Sequence, residues 1–195
     1  MSVDTEKKEM RMTAKDKRRS LAGQAGSEAG DKLAVNFFKS APGASENLQT
    51  IAGYWPIADE IDVRPLMTKI HEAGRSVVLP VVVKPEQPLA FRPWRPDMAL
   101  EEGAFGTYHP GSEEPEVSPD ALLVPLLAFD DRGFRLGWGG GFYDHTLAGL
   151  RAAGPVTAIG AAYHGQMVDH VPHDTGDEPL DWIITDEDIL EAARP

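Results

Sequence analysis

The sequence contains no cysteine among its 195 residues. Disulfide bonds, zinc–thiolate sites and thiol nucleophiles are therefore excluded, and the absence fits a reducing compartment. The longest apolar run, Ala121 to Phe129, is far too short to span a bilayer. The first ten residues carry charges where a secretory signal would need an apolar stretch. We therefore expect a cytoplasmic protein that does not enter the membrane.

Positive charge is scarce: 19 lysines and arginines face 31 aspartates and glutamates, which gives a net charge of −12. This balance disfavours nucleic acids and anionic membranes as partners, because both are bound through basic surface. We expect small-molecule partners and a monomer. A length of 195 residues, 42% of them hydrophobic, suits one domain with a substantial core. The whole chain, residues 1–195, is predicted to be that domain.

The few basic residues are concentrated near the N-terminus. Lys7, Arg11, Lys15 and Arg19 recur at every fourth position. If this segment is helical, the four side chains form one stripe along a helix face. Such a stripe is either a solvated basic surface or a face that binds an anion.

Apolar runs and helix signals alternate along the rest of the chain. A basic helical segment over about residues 5–39 is followed by strand candidates separated by helices, and an irregular connection runs from Arg95 to Pro119. The alternation predicts an α/β fold: a single three-layer domain with a mostly parallel central sheet and helices on both faces. The run ALLVPLLAF is the most apolar strand candidate and is placed at the centre of the sheet. The strand candidates are LQTIAGYWP, SVVLPVVV, LAFRPW, ALLVPLLAF, VTAIGAAYH and DWIIT, and the helices are DVRPLMTKIHEAG and FYDHTLAGLRAAG.

The stretch RLGWGGGFYD, from Arg135 to Asp144, places four glycines between the central strand and a helix. Ligands of such sheets bind where strands end, and a helix N-terminus with bare backbone suits phosphate. The stretch lacks the Gly-Lys-Ser/Thr of a Walker loop. It is also not a dinucleotide fingerprint, because the third glycine would fall at Phe142. The alternative interpretation is a tight turn whose glycines only provide positive φ angles.

Several motifs occur in an order that resembles the 5-formyltetrahydrofolate cyclo-ligase (methenyltetrahydrofolate synthetase) family. They are EIDVRPL, VVLPVV, LEEGAFG, DALLVPLLAFDDRGFRLGWGGGFYD and DEPLD, and the similarity runs from about Lys7 to Asp186. The resemblance implies a single three-layer α/β domain. It also implies an ATP- and Mg²⁺-dependent enzyme that converts 5-formyltetrahydrofolate to 5,10-methenyltetrahydrofolate, with release of ADP and phosphate. The implied route phosphorylates the formyl oxygen, and N10 then attacks the activated carbon.

The same resemblance assigns roles to matching positions. Arg135 and Asp144 are the implied catalytic residues, and Asp144 and Asp177 are the implied Mg²⁺ ligands. The implied folate-binding residues are Trp55, Glu60, Trp138, Gly139, Gly140, Gly141 and Phe142. The implied ATP-binding residues are Lys7, Arg11, Arg135, Leu136, Gly137, Trp138, Gly139, Gly140, Gly141, Phe142 and Tyr143.

The chain departs from the family pattern at a few positions. Trp138 stands where members often have Tyr or Arg, and Gly140 stands near positions that often hold Tyr or Lys. The frequent His-Asp pair appears as Gly176-Asp177, which weakens the second metal assignment more than the first. The residue types nevertheless suit phosphoryl transfer, which needs positioning and charge neutralisation rather than a protein nucleophile.

Other interpretations remain open at this point. A nucleotide- or folate-binding regulator without turnover would keep the same pocket, and a sugar-phosphate isomerase or coenzyme A transferase-like protein would share a related α/β layout. The segment HGQMVDHVPHDTGD is rich in histidine and aspartate, but such clusters in polar loops are usually solvated, so we expect no zinc or iron site. Glu60 and Asp62 could form an acid/base pair; more simply, Asp62 caps the following helix and Glu60 faces the ligand.

Overall fold

The computed structural model describes residues 2–193. Its α-helices are α1 (Val3–Ala25), α2 (Ala29–Lys39), α3 (Ala41–Ala44), α4 (Arg64–Glu72) and α5 (Phe142–Ala153). Its strands are β1 (Thr50–Ala52), β2 (Ser76–Val81), β3 (Ala90–Trp94), β4 (Glu101–Glu102), β5 (Tyr108–His109), β6 (Ala121–Pro125), β7 (Ala128–Phe129), β8 (Arg135–Leu136), β9 (Thr157–Ala162), β10 (Trp182–Thr185) and β11 (Ile189–Glu191).

Seven strands form the main sheet in the order β11-β10-β9-β6-β1-β2-β3. The five inner strands run parallel to their neighbours, while β3 and β11 pair antiparallel at the two edges. The central position of β6 confirms the placement predicted for ALLVPLLAF, and LAFRPW forms the edge strand β3. The proline in β3 is tolerated because an edge strand has one side free of ladder hydrogen bonds.

Alternating side chains of the inner strands bury two separate cores. On one face, Ile51 and Leu123 pack with Leu33 of α2 and Leu66 of α4. On the other face, Leu122 packs with Leu147 of α5 and with other small and branched side chains. Successive side chains of a strand point to opposite faces, so these apolar runs cover both sides of the sheet. The predicted three-layer α/β fold is confirmed.

Helix α1 closes the carboxyl end of the sheet. Ser2 caps its N-terminus by accepting a hydrogen bond from the Thr5 N–H at 3.4 Å, and Gly26, with φ of +66°, ends it. The segment predicted over residues 5–39 is therefore two helices, α1 and α2, joined by a short 3-10 turn. Ala14 of α1 belongs to a small third core with residues of β7 and β8, which holds α1 across the end of the central strand.

The apolar run Ala121–Phe129 is not one strand, contrary to our prediction. Strand β6 ends at Pro125, because the Leu126 carbonyl accepts hydrogen bonds from Arg18 and Gln166 instead of a neighbouring strand. The chain then forms a β7–β8 hairpin, so the glycine stretch follows this hairpin and not the central strand itself. Strand β11 is an additional element that the sequence did not indicate.

Within residues 2–193, no helix is both long and apolar enough to span a membrane.

Candidate functional site

The glycine stretch leads from β8 into α5. Gly139 and Gly141 have φ angles of +103° and +67°, which L side chains rarely adopt, and Gly141 is the residue immediately before the helix. The free N–H groups of the first turn of α5 therefore open onto bare backbone. The positive φ angles that the turn interpretation requires are present, and they occur at a helix N-terminus at the carboxyl side of the sheet.

Arg11 of α1 braces this glycine loop. Its Nε atom donates a hydrogen bond to the Gly137 carbonyl at 3.0 Å, the only hydrogen bond that Arg11 makes within the described residues. A Cβ atom added at Gly139 would lie 3.2 Å from the Arg11 guanidinium carbon. The absence of a side chain at position 139 thus lets the guanidinium lie against the loop, with its terminal nitrogens uncommitted to any protein acceptor that the structure describes.

The other two predicted phosphate-binding cations are paired with acids. Lys7 Nζ lies 2.5 Å from Asp177 and 3.1 Å from Asp174. Burial would lower the pKa of Lys7, but its hydrogen bonds to the two aspartates outweigh burial and raise the pKa. Arg135, whose side chain is only 5% exposed, donates from Nη2 to Asp144 at 2.7 Å. Each predicted Mg²⁺ ligand is therefore held by one predicted phosphate ligand.

Asp144 is not the N-terminal cap residue of α5. The N-terminal cap of the helix is Gly141, and Asp144 lies three residues later, within the first turn. Its Oδ1 atom accepts hydrogen bonds from Arg135 and from the Glu178 N–H at 3.1 Å, and Arg135 also donates to the Glu178 carbonyl. Asp144 thus ties α5 to the segment that carries Asp177.

The second part of the site is a buried ion pair beneath Trp138. Glu60, whose side chain is 4% exposed, accepts hydrogen bonds from Trp138 Nε1 at 3.0 Å and from the Ile57 N–H at 3.0 Å. Arg18 Nη1 lies 3.7 Å from Glu60, and its guanidinium lies 4.9 Å from the Trp138 ring centroid. Burial raises the pKa of Glu60, while these donors and the Arg18 charge oppose the rise.

Trp138 is the outer layer of this arrangement. It is 41% exposed, and Lys15 of α1 lies 4.8 Å from its ring centroid. Three members of the basic stripe therefore face the site: Lys7 contacts its aspartates, Arg11 the backbone of the glycine loop, and Lys15 the indole of Trp138. This placement favours the anion-binding interpretation of the stripe for these three. The fourth, Arg19, pairs with Asp16 and Asp59 instead.

Arg18, Phe105 and Tyr108 are site neighbours that sequence reasoning missed. Arg18 lies seven residues after Arg11 and so shares its helix face, a spacing that could have indicated it. The aromatic pair could not have been predicted, since both belong to the irregular connection. Tyr108 lies 6.1 Å from the Trp55 ring, and the exposed Phe105, with φ of +61°, lies 6.0 Å from the Phe142 ring.

The histidine-rich segment packs against the β7–β8 hairpin. His173 stacks on Phe134 with ring centroids 3.5 Å apart, and His170 lies 2.6 Å from Arg132. Within residues 2–193, no group of three or more His, Asp or Glu side chains could hold a metal ion. Asp62 accepts the N–H of Arg64, the first residue of α4, at 3.0 Å, as its predicted capping role requires, although Val63 is the residue immediately before the helix.

A parallel sheet that carries a glycine loop, a helix N-terminus and a row of cations at its carboxyl side has the features of a phosphate-binding α/β enzyme. Comparison with known proteins identifies the family within this class. Residues 3–186 match the model of the 5-formyltetrahydrofolate cyclo-ligase family, and the chain belongs to that family. The resemblance carried by the sequence motifs is thus confirmed.

Relatives and solved structures agree with this assignment. The 5-formyltetrahydrofolate cyclo-ligase of Escherichia coli K12 is 30% identical over 182 residues, which cover 91% of this chain and 98% of that protein. The Haemophilus influenzae 5-formyltetrahydrofolate cyclo-ligase is 34% identical over 68% of this chain and 73% of its own length. The structure of the Aquifex aeolicus 5,10-methenyltetrahydrofolate synthetase superposes with a TM-score of 0.78 at 29% identity, covering 97% of this chain and 94% of that chain. Family and neighbours indicate 5,10-methenyltetrahydrofolate synthetase activity, which argues against an isomerase, a transferase and a regulator without turnover.

Proposed function

We propose that this chain closes 5-formyltetrahydrofolate to 5,10-methenyltetrahydrofolate, coupled to Mg²⁺-dependent ATP hydrolysis to ADP and phosphate. One observation carries the proposal: the glycine loop, two partly buried cation–carboxylate pairs and the buried Glu60 lie along α1 and beside the N-terminal end of α5. Because all of these groups come from one chain, we further propose that a single domain, acting as a monomer, suffices.

The loop and its cations suit the phosphates of ATP. Among the described residues, the terminal guanidinium nitrogens of Arg11 have no acceptor, and they lie beside Gly137 and Gly139; the N-terminus of α5 offers further N–H donors. Lys7 and Arg135 would add charge to the same anion. Charge-assisted hydrogen bonds from such donors are stronger than neutral ones and hold phosphate oxygens in fixed directions.

The carboxylates suit Mg²⁺. This ion prefers oxygen ligands and is usually held by one or two carboxylates together with phosphate oxygens and water. Asp144 and Asp177 are the two carboxylates that we propose for it, and both lie beside proposed phosphate ligands. When bound, the ion would neutralise charge on the transferring phosphates.

The folate would lie between the loop and Glu60. The aminopyrimidinone edge of the pterin presents N–H donors, and the Glu60 carboxylate is a buried acceptor that can receive them. Trp138 and Phe142 lie on the loop side of this position, and Trp55 lies on the segment after β1. The reactive N5 formyl group would thereby be brought towards the phosphate end of the site.

The chemistry needs no protein nucleophile. The formyl oxygen attacks the γ-phosphorus, ADP leaves, and N10 then attacks the formyl carbon. The C–O bond breaks with release of phosphate, and N10 loses its proton to leave the methenyl bridge. Arg11, Lys7 and Arg135 would stabilise the charge that develops on the transferring phosphoryl group, and accurate placement would supply much of the acceleration.

The direct test is a reaction with purified protein, 5-formyltetrahydrofolate, ATP and MgCl₂. We expect the near-ultraviolet absorbance of the methenyl product to rise only when ATP and a divalent cation are both present, with ADP formed in equal amount. Folate binding without product under these conditions would contradict the proposal. Product formation without nucleotide would refute the phosphorylation route.

A further inference from the structure

Glu60 places a carboxyl group where a charge is unfavourable. Its side chain is 4% exposed, and a buried carboxylate remains ionised only if it is hydrogen-bonded and paired with an opposite charge. Two of its partners, the Trp138 Nε1–H and the Ile57 N–H, are neutral. The one cation in contact with it within the described residues is Arg18, at 3.7 Å.

These partners differ in how easily a ligand could replace them. Trp138 is 41% exposed and lies on the glycine loop, so an incoming donor can take its place at Glu60. Arg18 is 2% exposed, and its Nη1 atom also donates to the Leu126 carbonyl at 3.2 Å, which fixes the guanidinium beneath the indole. Arg18 therefore stays beside Glu60 whether or not Trp138 remains there.

Arg18 is also incompletely satisfied. Its Nε atom is buried and has no hydrogen-bond partner among the described residues. Buried donors without partners are rare in native structures, and each one costs free energy. Burial also lowers the pKa of the guanidinium, although arginine stays protonated in proteins. A purely structural role would be served by an apolar side chain of similar length, without these costs.

We infer that Arg18 is a positioning residue that keeps Glu60 ionised and orients it, with the Trp138 indole as a replaceable cover, for the N–H donors of the pterin ring. This inference rests on the proposed folate-binding role of Glu60. Arg18 itself acts through Glu60 and need not touch the substrate. The groups that face the pair are Trp138 from the glycine loop, Tyr54 from the segment after β1, Tyr143 from α5, and, towards Arg18, Asp59 and Tyr163.

The test is Arg18→Met, which keeps the length of the side chain and removes its charge. Without the cation the pKa of Glu60 rises further, so the carboxyl group protonates as the pH falls and loses acceptor capacity. The affinity for 5-formyltetrahydrofolate, measured calorimetrically without ATP over a pH series, should weaken by about ten- to a hundredfold at the acid end of the series and recover as the pH rises. The parent should show little change over the same range.

Two matched variants separate the electrostatic role from a structural one. Glu60→Gln should bind weakly at every pH, and Arg18→Met/Glu60→Gln should also lose the pH dependence. Arg18→Lys keeps the charge and should restore a flat profile. An Arg18→Met protein that binds folate as the parent does, or that is weakened equally at all pH values, would overturn the inference.

A measurement on the parent protein keeps the inference testable if Arg18→Met does not fold. Infrared difference spectra of the parent minus Glu60→Gln should show an ionised Glu60 near pH 7; a protonated band there would overturn the inference. If the parent bound no folate at all, the proposed function would fail instead. If the parent binds and turns over folate while Arg18 proves irrelevant, only this inference fails.

Discussion

The substitution Asp144→Asn separates the structural role of this residue from its proposed metal role. Oδ1 of Asp144 accepts hydrogen bonds from Arg135 at 2.7 Å and from the Glu178 N–H at 3.1 Å. Asparagine keeps one acceptor oxygen and the shape but loses the charge. A hydrogen bond to a charged group contributes about 1.5–3 kcal/mol and a neutral one about 1 kcal/mol, so we expect a loss of about 1 kcal/mol in the free energy of unfolding. For a chain of this length that lowers Tm by about 2–4 °C.

The metal role predicts a second effect of Asp144→Asn that the ion pair alone does not. The Mg²⁺ concentration for half-maximal rate should rise by roughly ten- to a hundredfold, since a charged ligand is lost. The assay is a magnesium titration of the initial rate of methenyl absorbance, paired with calorimetric Tm. Asp120→Asn is the control, because Asp120 accepts the Gln49 and Thr50 N–H groups at the opposite, amino end of the strands. Asp120→Asn should change Tm without changing the Mg²⁺ concentration for half-maximal rate. If Asp144→Asn needs the same Mg²⁺ concentration as the parent, the metal assignment is refuted.

Three further substitutions test the loop, its arginine and one surface ion pair. Gly139→Ala places a Cβ atom against Arg11 at a residue whose φ is +103°, so the affinity for ATP and the Tm should both fall. The control is Gly149→Ala, which lies in open space on α5 and should leave the affinity for ATP unchanged. Arg135→Ala should weaken ATP binding in calorimetry by about ten- to a hundredfold and Arg135→Lys by less, since lysine lacks the planar fork; a parental Kd would contradict the assignment. Burial raises the pKa of Asp62, but the hydrogen bonds from Arg64 outweigh it and lower the pKa. The Asp62–Arg64 pair therefore stabilises the fold at pH values above the pKa of Asp62 in the unfolded chain, by less than about 1 kcal/mol. The difference in Tm between the parent and Asp62→Asn should disappear as the pH falls below about 4. A difference in Tm that stays constant over this range would argue against the stabilising role of the pair.

The central place of ALLVPLLAF in a mostly parallel sheet could be predicted because the signals for it are local. Apolar runs separated by helices imply a parallel sheet, and the most apolar run is the one buried on both faces. The end of β6 could not be predicted, because it depends on distant donors. Arg18 and Gln166 lie 108 and 40 residues from the Leu126 carbonyl that they bind. A sequence pattern shows that Ala121–Phe129 is buried, but not where its carbonyls leave the sheet.

In the candidate site, too, features set by local spacing could be predicted, and contacts between distant residues could not. The spacing of four residues is enough to predict that Lys7, Arg11 and Lys15 share one face of α1. Their partners were not predictable, since Lys7 pairs with Asp177 across 170 residues and Arg11 binds Gly137 across 126. Glycine in the loop indicated positive φ angles correctly, yet nothing in its spacing indicated that Arg11 would lie against Gly139.

The pairing of cations with carboxylates explains how a chain of net charge −12 can keep an anion-binding site stable without its ligand. Lys7 is paired with Asp174 and Asp177, and Arg135 is paired with Asp144, so the site does not present two bare positive charges. On the proposed assignment, nucleotide phosphates must take these cations away from Asp177 and Asp144. The two carboxylates would then be left unpaired, at a cost that a divalent cation removes. Nucleotide and Mg²⁺ should therefore bind with positive coupling, and by linkage each should strengthen the other by the same factor.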